Sequence, residues 1–139
     1  MQYSLFTIKQ HIVYLLKAKN AFSVHSPFVY SLYSYILKNR KRKCKNKLTS
    51  LHSSLCEYLD DYNITTINSS TEYQEILDKI SQNRNAVIIS NIHTNKEFNA
   101  LWQRLTNIQT HYITIDFFCL GILINCENLI YNQNYILKY

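Results

Sequence analysis

One glycine, Gly121, stands among the 139 residues of this chain, and its isolation restricts the backbone more than any residue present. Turns with positive φ, and loops whose backbone lies against a phosphate or a nucleoside, rely on glycine because it carries no Cβ. Neither a G-x-G-x-x-G loop nor a P-loop can be written with one glycine. The glycine-based routes to phosphate binding are therefore closed.

A chain of this length suits one domain that buries about two-thirds of its unfolded surface. Its hydrophobic share of 47% is ordinary for a globular protein, so disorder is not expected. Cys44, Cys56, Cys119 and Cys126 form no C-x-x-C pair, and neighbouring histidines do not complete a zinc-ligand spacing. Reduced, mostly buried thiols and no metal are expected. Lys9, Gln10 and His11 interrupt any N-terminal apolar run, so a secretory signal is not expected. No apolar stretch reaches the ~18 residues that span a bilayer. A cytoplasmic location without a membrane partner follows as the expectation, and there the Asn63-Ile64-Thr65 sequon has no significance.

The net charge of +6 is unevenly distributed. Lys38, Arg40, Lys41, Arg42, Lys43, Lys45 and Lys47 form one run, and without those seven the remainder stands at −1. Such a run can neutralise several phosphates in a salt-dependent way, but carries no sequence readout by itself. The plainer and preferred reading is a solvated linker after a helix, where cations also suit the C-terminal dipole.

Leu5, Ile8, Ile12, Leu15 and Leu16 share one helical stripe, which predicts an amphipathic helix over residues 3–18. Ser26 as N-cap and Pro27 at the first helical position announce a second helix, continued by Phe28, Leu32, Tyr35 and Ile36. Leu48, Leu51, Leu55 and Leu59 suggest a third, over residues 48–59. Beyond it the pattern alternates. Asn63 to Asn68 reads as a strand, and a helix with Tyr73, Ile76, Leu77 and Ile80 follows, with Ser69 and Glu72 spaced as a capping box. The run Ala86-Val87-Ile88-Ile89 suits a parallel strand covered on both faces. Thr94 and Glu97 form a second capping box before a helix whose core face is Phe98, Leu101, Trp102 and Leu105. Two such units imply a parallel sheet with right-handed crossovers. Tyr112 to Asp116 and Gly121 to Cys126 are close enough for an antiparallel hairpin, and Tyr135 to Tyr139 suits a last edge strand.

The segments Tyr14-Leu15-Leu16-Lys17-Ala18-Lys19-Asn20 and Val24-His25-Ser26-Pro27-Phe28-Val29-Tyr30 resemble the opening of a group of class I S-adenosylmethionine-dependent methyltransferase-like proteins from Bacteroidetes. Ile89 to His93, Lys96-Glu97, Trp102, Thr114-Ile115-Asp116-Phe117-Phe118 and Leu120-Gly121 resemble that group's ending. Together the matching regions cover residues 1–40 and roughly 73–139. The resemblance implies a Rossmann-like methyltransferase sheet, here partial: two parallel βα units and a C-terminal antiparallel hairpin, with N-terminal helices. Class I methyltransferases hold their cofactor with a glycine-containing loop after the first strand and an acidic residue after the second, and neither is present. Where relatives carry an acidic pair after the strand at residues 86–90, this chain has Ser90-Asn91. The implied organisation is a helical region, residues 1–47, ending in a basic linker, and a truncated α/β methyltransferase-like domain, residues 48–139.

His93 and Asn91 fall just beyond the carboxyl end of a predicted parallel strand, where open α/β sheets place their ligand crevice. His93 is a candidate general base, although capping the helix after Thr94 is the preferred role. His25 is a candidate substrate contact or, preferably, a residue fixing the turn before Ser26-Pro27. Asp116 either orients a pocket group or ends its strand, and Trp102 belongs to the core. The preferred function is a degenerate methyltransferase-like protein without cofactor binding or catalysis. One alternative is an active enzyme with a composite site, binding S-adenosylmethionine and self-associating through an open sheet edge. The other is a small nucleic-acid-binding module using the cations of residues 38–47. Loss of the sheet's first strands would also leave apolar helix faces uncovered.

Overall fold

The computed structural model describes residues 4–20, 23–40, 46–69, 71–108, 112–126 and 133–139. Three helices, α1 (Leu5–Lys17), α2 (Pro27–Lys38) and α3 (Lys47–Tyr58), precede an alternating part. That part runs β1 (Asn63–Ile67), α4 (Tyr73–Ile80), β2 (Asn85–Ser90), α5 (Lys96–Thr106), β3 (Tyr112–Asp116), β4 (Leu120–Asn125) and β5 (Gln133–Ile136). The chain is thus an α/β protein with one mixed five-stranded sheet, ordered β1-β2-β4-β3-β5.

β1 and β2 pair in parallel, as expected for a βα unit returning to the same sheet. β3 and β4 form the antiparallel hairpin, and β4 lies between β3 and β2, antiparallel to both. β5 closes the far edge in parallel with β3. It begins two residues earlier than the expected Tyr135–Tyr139 segment.

Strand alternation divides the core into two layers. Ala86, Ile88, Ile113, Ile115, Ile122 and Ile124 face α2 and α3, whose Val29, Leu32, Ile36, Leu51 and Leu55 are fully buried there. Val87, Ile89 and Leu123 face α4 and α5, meeting Ile76, Ile80, Trp102 and Leu105. α2 and α3 therefore share one core with the strands. Gly121 lies on central strand β4, opposite Ile89 on one side and Asp116 on the other, with the Trp102 indole against its α-carbon face. The lone glycine serves a close approach and makes no turn. Among the described residues the positive-φ positions fall instead on Arg84 (58°), Asn91 (60°) and Phe118 (70°).

The helix starts follow local chemistry. Ser26 Oγ accepts from the Val29 N–H at 3.4 Å and Pro27 opens α2. Neither expected capping box forms. α4 starts after Glu72, which makes no side-chain cap bond, and α5 is capped by Asn95, whose side chain accepts from the Phe98 N–H at 2.8 Å. Thr94 is unavailable because its hydroxyl turns back to the Asn91 carbonyl at 2.9 Å, in the turn that Asn91's left-handed backbone creates.

The largest departure concerns α1. Its body-facing side chains are Thr7 and Tyr14, whereas Leu5, Ile8, Ile12, Leu15 and Leu16 face outward. The helix crosses the carboxyl ends of the strands, tied by the Thr7 hydroxyl to the Thr94 carbonyl (3.3 Å) and by the Tyr14 hydroxyl to the Leu137 carbonyl (2.5 Å). Polar anchors at both ends fix which side faces the sheet, and the aliphatic stripe is left outside.

Candidate functional site

Two clefts of similar size lie on the described surface. One, about 760 Å³, runs between α4 and α5 and carries Glu72, Glu75, Glu97 and Arg104, but none of the candidate site residues His25, Asn91, His93 and Asp116. Its Arg104 guanidinium is already engaged, 4.0 Å over the Tyr73 ring. The other, about 740 Å³, lies between α1, the N-terminus of α3 and the carboxyl ends of β2 and β3. Asn91, His93, His11, Lys47, Phe118 and Cys119 are among its walls, which makes it the candidate site.

β2 ends at Ser90, and Asn91 turns the chain so that buried His93 points back across the sheet. His93 Nε2 lies 2.6 Å from Asp116 Oδ2, and Asp116, the last residue of β3, is buried too. The other carboxylate oxygen accepts from the Phe118 N–H at 2.8 Å. On the far side of the imidazole the Asn99 amide nitrogen sits 2.9 Å from His93 Nδ1 and also donates to Gln10 Oε1 at 3.4 Å. An amide N–H donates, so Nδ1 is the acceptor and Nε2–H donates to Asp116. A continuous chain of hydrogen bonds thus joins α1, α5, β2 and β3.

Both nitrogens of His93 are engaged, so no lone pair remains for a substrate proton. The side chain holds the two strand ends and α5 together, and it is not the cap of the following helix. Asp116 orients His93, which joins the two expectations for that residue. Asn91 is exposed and is occupied by its turn, its N–H donating to the Cys119 carbonyl at 2.8 Å. His25 is exposed just before α2 and does not reach the cleft.

Phe118 forms the aromatic wall. A bulky residue at positive φ carries backbone strain of about 1–3 kcal/mol. Here that backbone sets the ring 5.3 Å from His93 in a stacked arrangement, 4.7 Å from His11 and 5.2 Å from Tyr14. Burial, and then the Asp116 charge, hold the Tyr14 hydroxyl well above its ordinary range, so it stays a donor. Burial likewise pushes the Cys119 thiol up, away from a nucleophilic thiolate. His11, Asn46, Lys47, Asn91 and Thr94 are the exposed polar residues of the wall.

Lys38, Arg40 and Lys47 are exposed, and Arg40 lies 5.0 Å over the Tyr139 ring. Lys41, Arg42, Lys43 and Lys45 lie outside the described residues, as does Cys44. Cys56, Cys119 and Cys126 are free and half-buried, and among the described residues no three His, Cys, Asp or Glu side chains converge as a metal site. No described helix is long and apolar enough to cross a membrane.

Sequence reasoning missed His11, Tyr14, Asn99 and Phe118 as site residues. Thr7, His11 and Tyr14 do follow i, i+4, i+7 spacing, a second face of α1 masked by the stronger aliphatic stripe. Asn99 and Phe118 gave no such signal, because only the folded chain brings them to His93. No family model matches this chain, no curated protein matches its sequence, and no solved structure matches its fold.

Proposed function

We propose that this chain is a degenerate relative of the class I S-adenosylmethionine-dependent methyltransferases, keeping the C-terminal half of their sheet and neither binding the cofactor nor transferring methyl groups. The observation that carries this reading is the self-satisfied ledge at the strand ends, where open α/β sheets hold ligands. Asp116 receives His93 and the Phe118 N–H, His93 receives Asn99, and α1 lies across the whole. Kinship is supported by the order of elements, two parallel βα units followed by the β3–β4 hairpin. Loss of the cofactor is supported by the absence of glycine from residues 1–120, and loss of catalysis by Ser90-Asn91 in place of an acidic pair. A cytoplasmic location belongs to the same reading.

Thermal unfolding with and without millimolar S-adenosylmethionine or S-adenosylhomocysteine tests it. A ligand at about 100 times its dissociation constant adds about 2.7 kcal/mol of stability, a shift of several degrees. No shift is expected. A rise of several degrees overturns the proposal, and one that grows with protein concentration would assign the cofactor to a site shared between chains.

A further inference from the structure

We propose that α1 is a membrane-surface helix, whose outward aliphatic side chains enter the headgroup and acyl boundary of an anionic bilayer while the cations around it engage the headgroups. The helix exposes Leu5 by 87%, Leu16 by 82%, Ile12 by 55%, Leu15 by 54% and Ile8 by 47%. Elsewhere on the described surface the large exposed hydrophobic residues are Tyr30 and Leu37, both on α2. A contiguous apolar stripe of this kind marks an interaction face, unlike scattered single residues.

Missing sheet strands do not account for it. Strands added to the sheet would extend it beyond β1, whereas α1 lies over the opposite half, anchored after β2, at the β3–β4 turn and after β5. Leu5, Leu15 and Leu16 lie outside the cleft beneath the helix, and half-exposed Ile8 and Ile12 stand at its rim.

Charge selects the partner. Ten of the fifteen Lys and Arg residues, and none of the nine Asp and Glu, lie in residues 1–56. Lys9 and Lys17 are exposed on α1 itself, and Lys47, at the end of the basic run, lines the same cleft as Ile8 and Ile12. Two copies pairing through the stripe would press two such cationic regions together. A nucleic acid would satisfy the cations and leave the aliphatic groups wet. An anionic bilayer satisfies both, which is the physical basis of interfacial amphipathic helices. Such a helix lies in the membrane plane and needs no spanning length, the criterion on which the sequence expectation of no membrane partner rested.

The test is flotation of the purified full chain with vesicles of phosphatidylcholine, alone or with about one-third phosphatidylserine. Variants Leu5→Gln/Leu16→Gln and Lys9→Gln/Lys17→Gln change exposed side chains, and circular dichroism checks that each is folded. Binding to the anionic vesicles only is expected, weakened about tenfold or more by either double variant and reduced by high salt. Absence of binding overturns the proposal. So does binding indifferent to Leu5→Gln/Leu16→Gln, which would assign the attraction to charge alone, as would stronger retention on nucleic acid than on vesicles. A dimer in solution that Leu5→Gln/Leu16→Gln dissociates, with flotation unchanged, would overturn it in favour of a second copy.

Discussion

Replacing Gly121 with alanine tests why the chain keeps a single glycine. A Cβ at this position would sit 2.5, 2.6 and 2.9 Å from Trp102 Cη2, Cζ3 and Cζ2. Ordinary carbon contacts lie at about 3.5–4.0 Å, so the indole must retreat by roughly 1 Å. It has little room, because Trp102 is buried in the layer formed by α4, α5 and the sheet, and β4 is held on both sides by β2 and β3. Overpacking of this kind costs about 1–3 kcal/mol, partly offset by the ~0.4–1 kcal/mol that alanine gains through a less flexible unfolded chain. A net loss of about 1–2 kcal/mol is expected in urea unfolding followed by far-ultraviolet circular dichroism. All three clashing atoms belong to the six-membered ring of the indole. In a Trp102→Phe background the Gly121→Ala change should therefore cost much less, giving a coupling of about 1 kcal/mol. Losses below about 0.5 kcal/mol in both backgrounds would refute the idea that the glycine exists to seat the indole.

Three further outcomes follow from the same contacts. Asp116→Asn sets an amide donor against either the His93 N–H or the Phe118 N–H, and a loss of about 3 kcal/mol is expected by chemical denaturation; an unchanged midpoint would contradict the hydrogen-bond assignment. Burial, followed by Cys126, pushes Tyr62 up to about 12 from an ordinary 10.0, and burial raises Tyr33 and Cys126 as well. The folded state then keeps protons that the unfolded chain releases, so this stability is full below the ordinary tyrosine value and is lost as pH rises through Tyr62's folded value. Urea midpoints that stay level from about pH 9 to pH 12 would exclude this. Arg84→Gly removes left-handed strain at φ 58° and only an exposed ion pair to Asp61, so a gain of about 0.5–1 kcal/mol is expected and an equal loss would contradict the strain argument.

The elements that were legible in the sequence are those whose signals are local. Ser26-Pro27 announced α2, the run from Ala86 to Ile89 announced a strand buried on both faces, and the hairpin followed from two apolar runs separated by a short turn. Features that depend on tertiary choice were not legible. The stripe on α1 marked one side as apolar, but the Thr7 and Tyr14 anchors decided which side meets the sheet. The partnership of His93 with Asp116 spans 23 residues, and nothing local joins them. The glycine argument concerned phosphate-binding loops, and the left-handed turns at Arg84, Asn91 and Phe118 carried no signal in it. The sequence placed Gly121 at the start of a strand, but nothing local showed that the sole tryptophan would pack against it.

Calorimetric titration of the purified chain with S-adenosylmethionine and S-adenosylhomocysteine tests the proposed loss of cofactor binding most directly. At protein concentrations that would reveal a dissociation constant of ~100 μM, about −5.5 kcal/mol, no heat of binding is expected. Saturable micromolar binding would contradict the account, because it would require a cofactor site built without a glycine loop and beside a His93–Asp116 pair that is already satisfied.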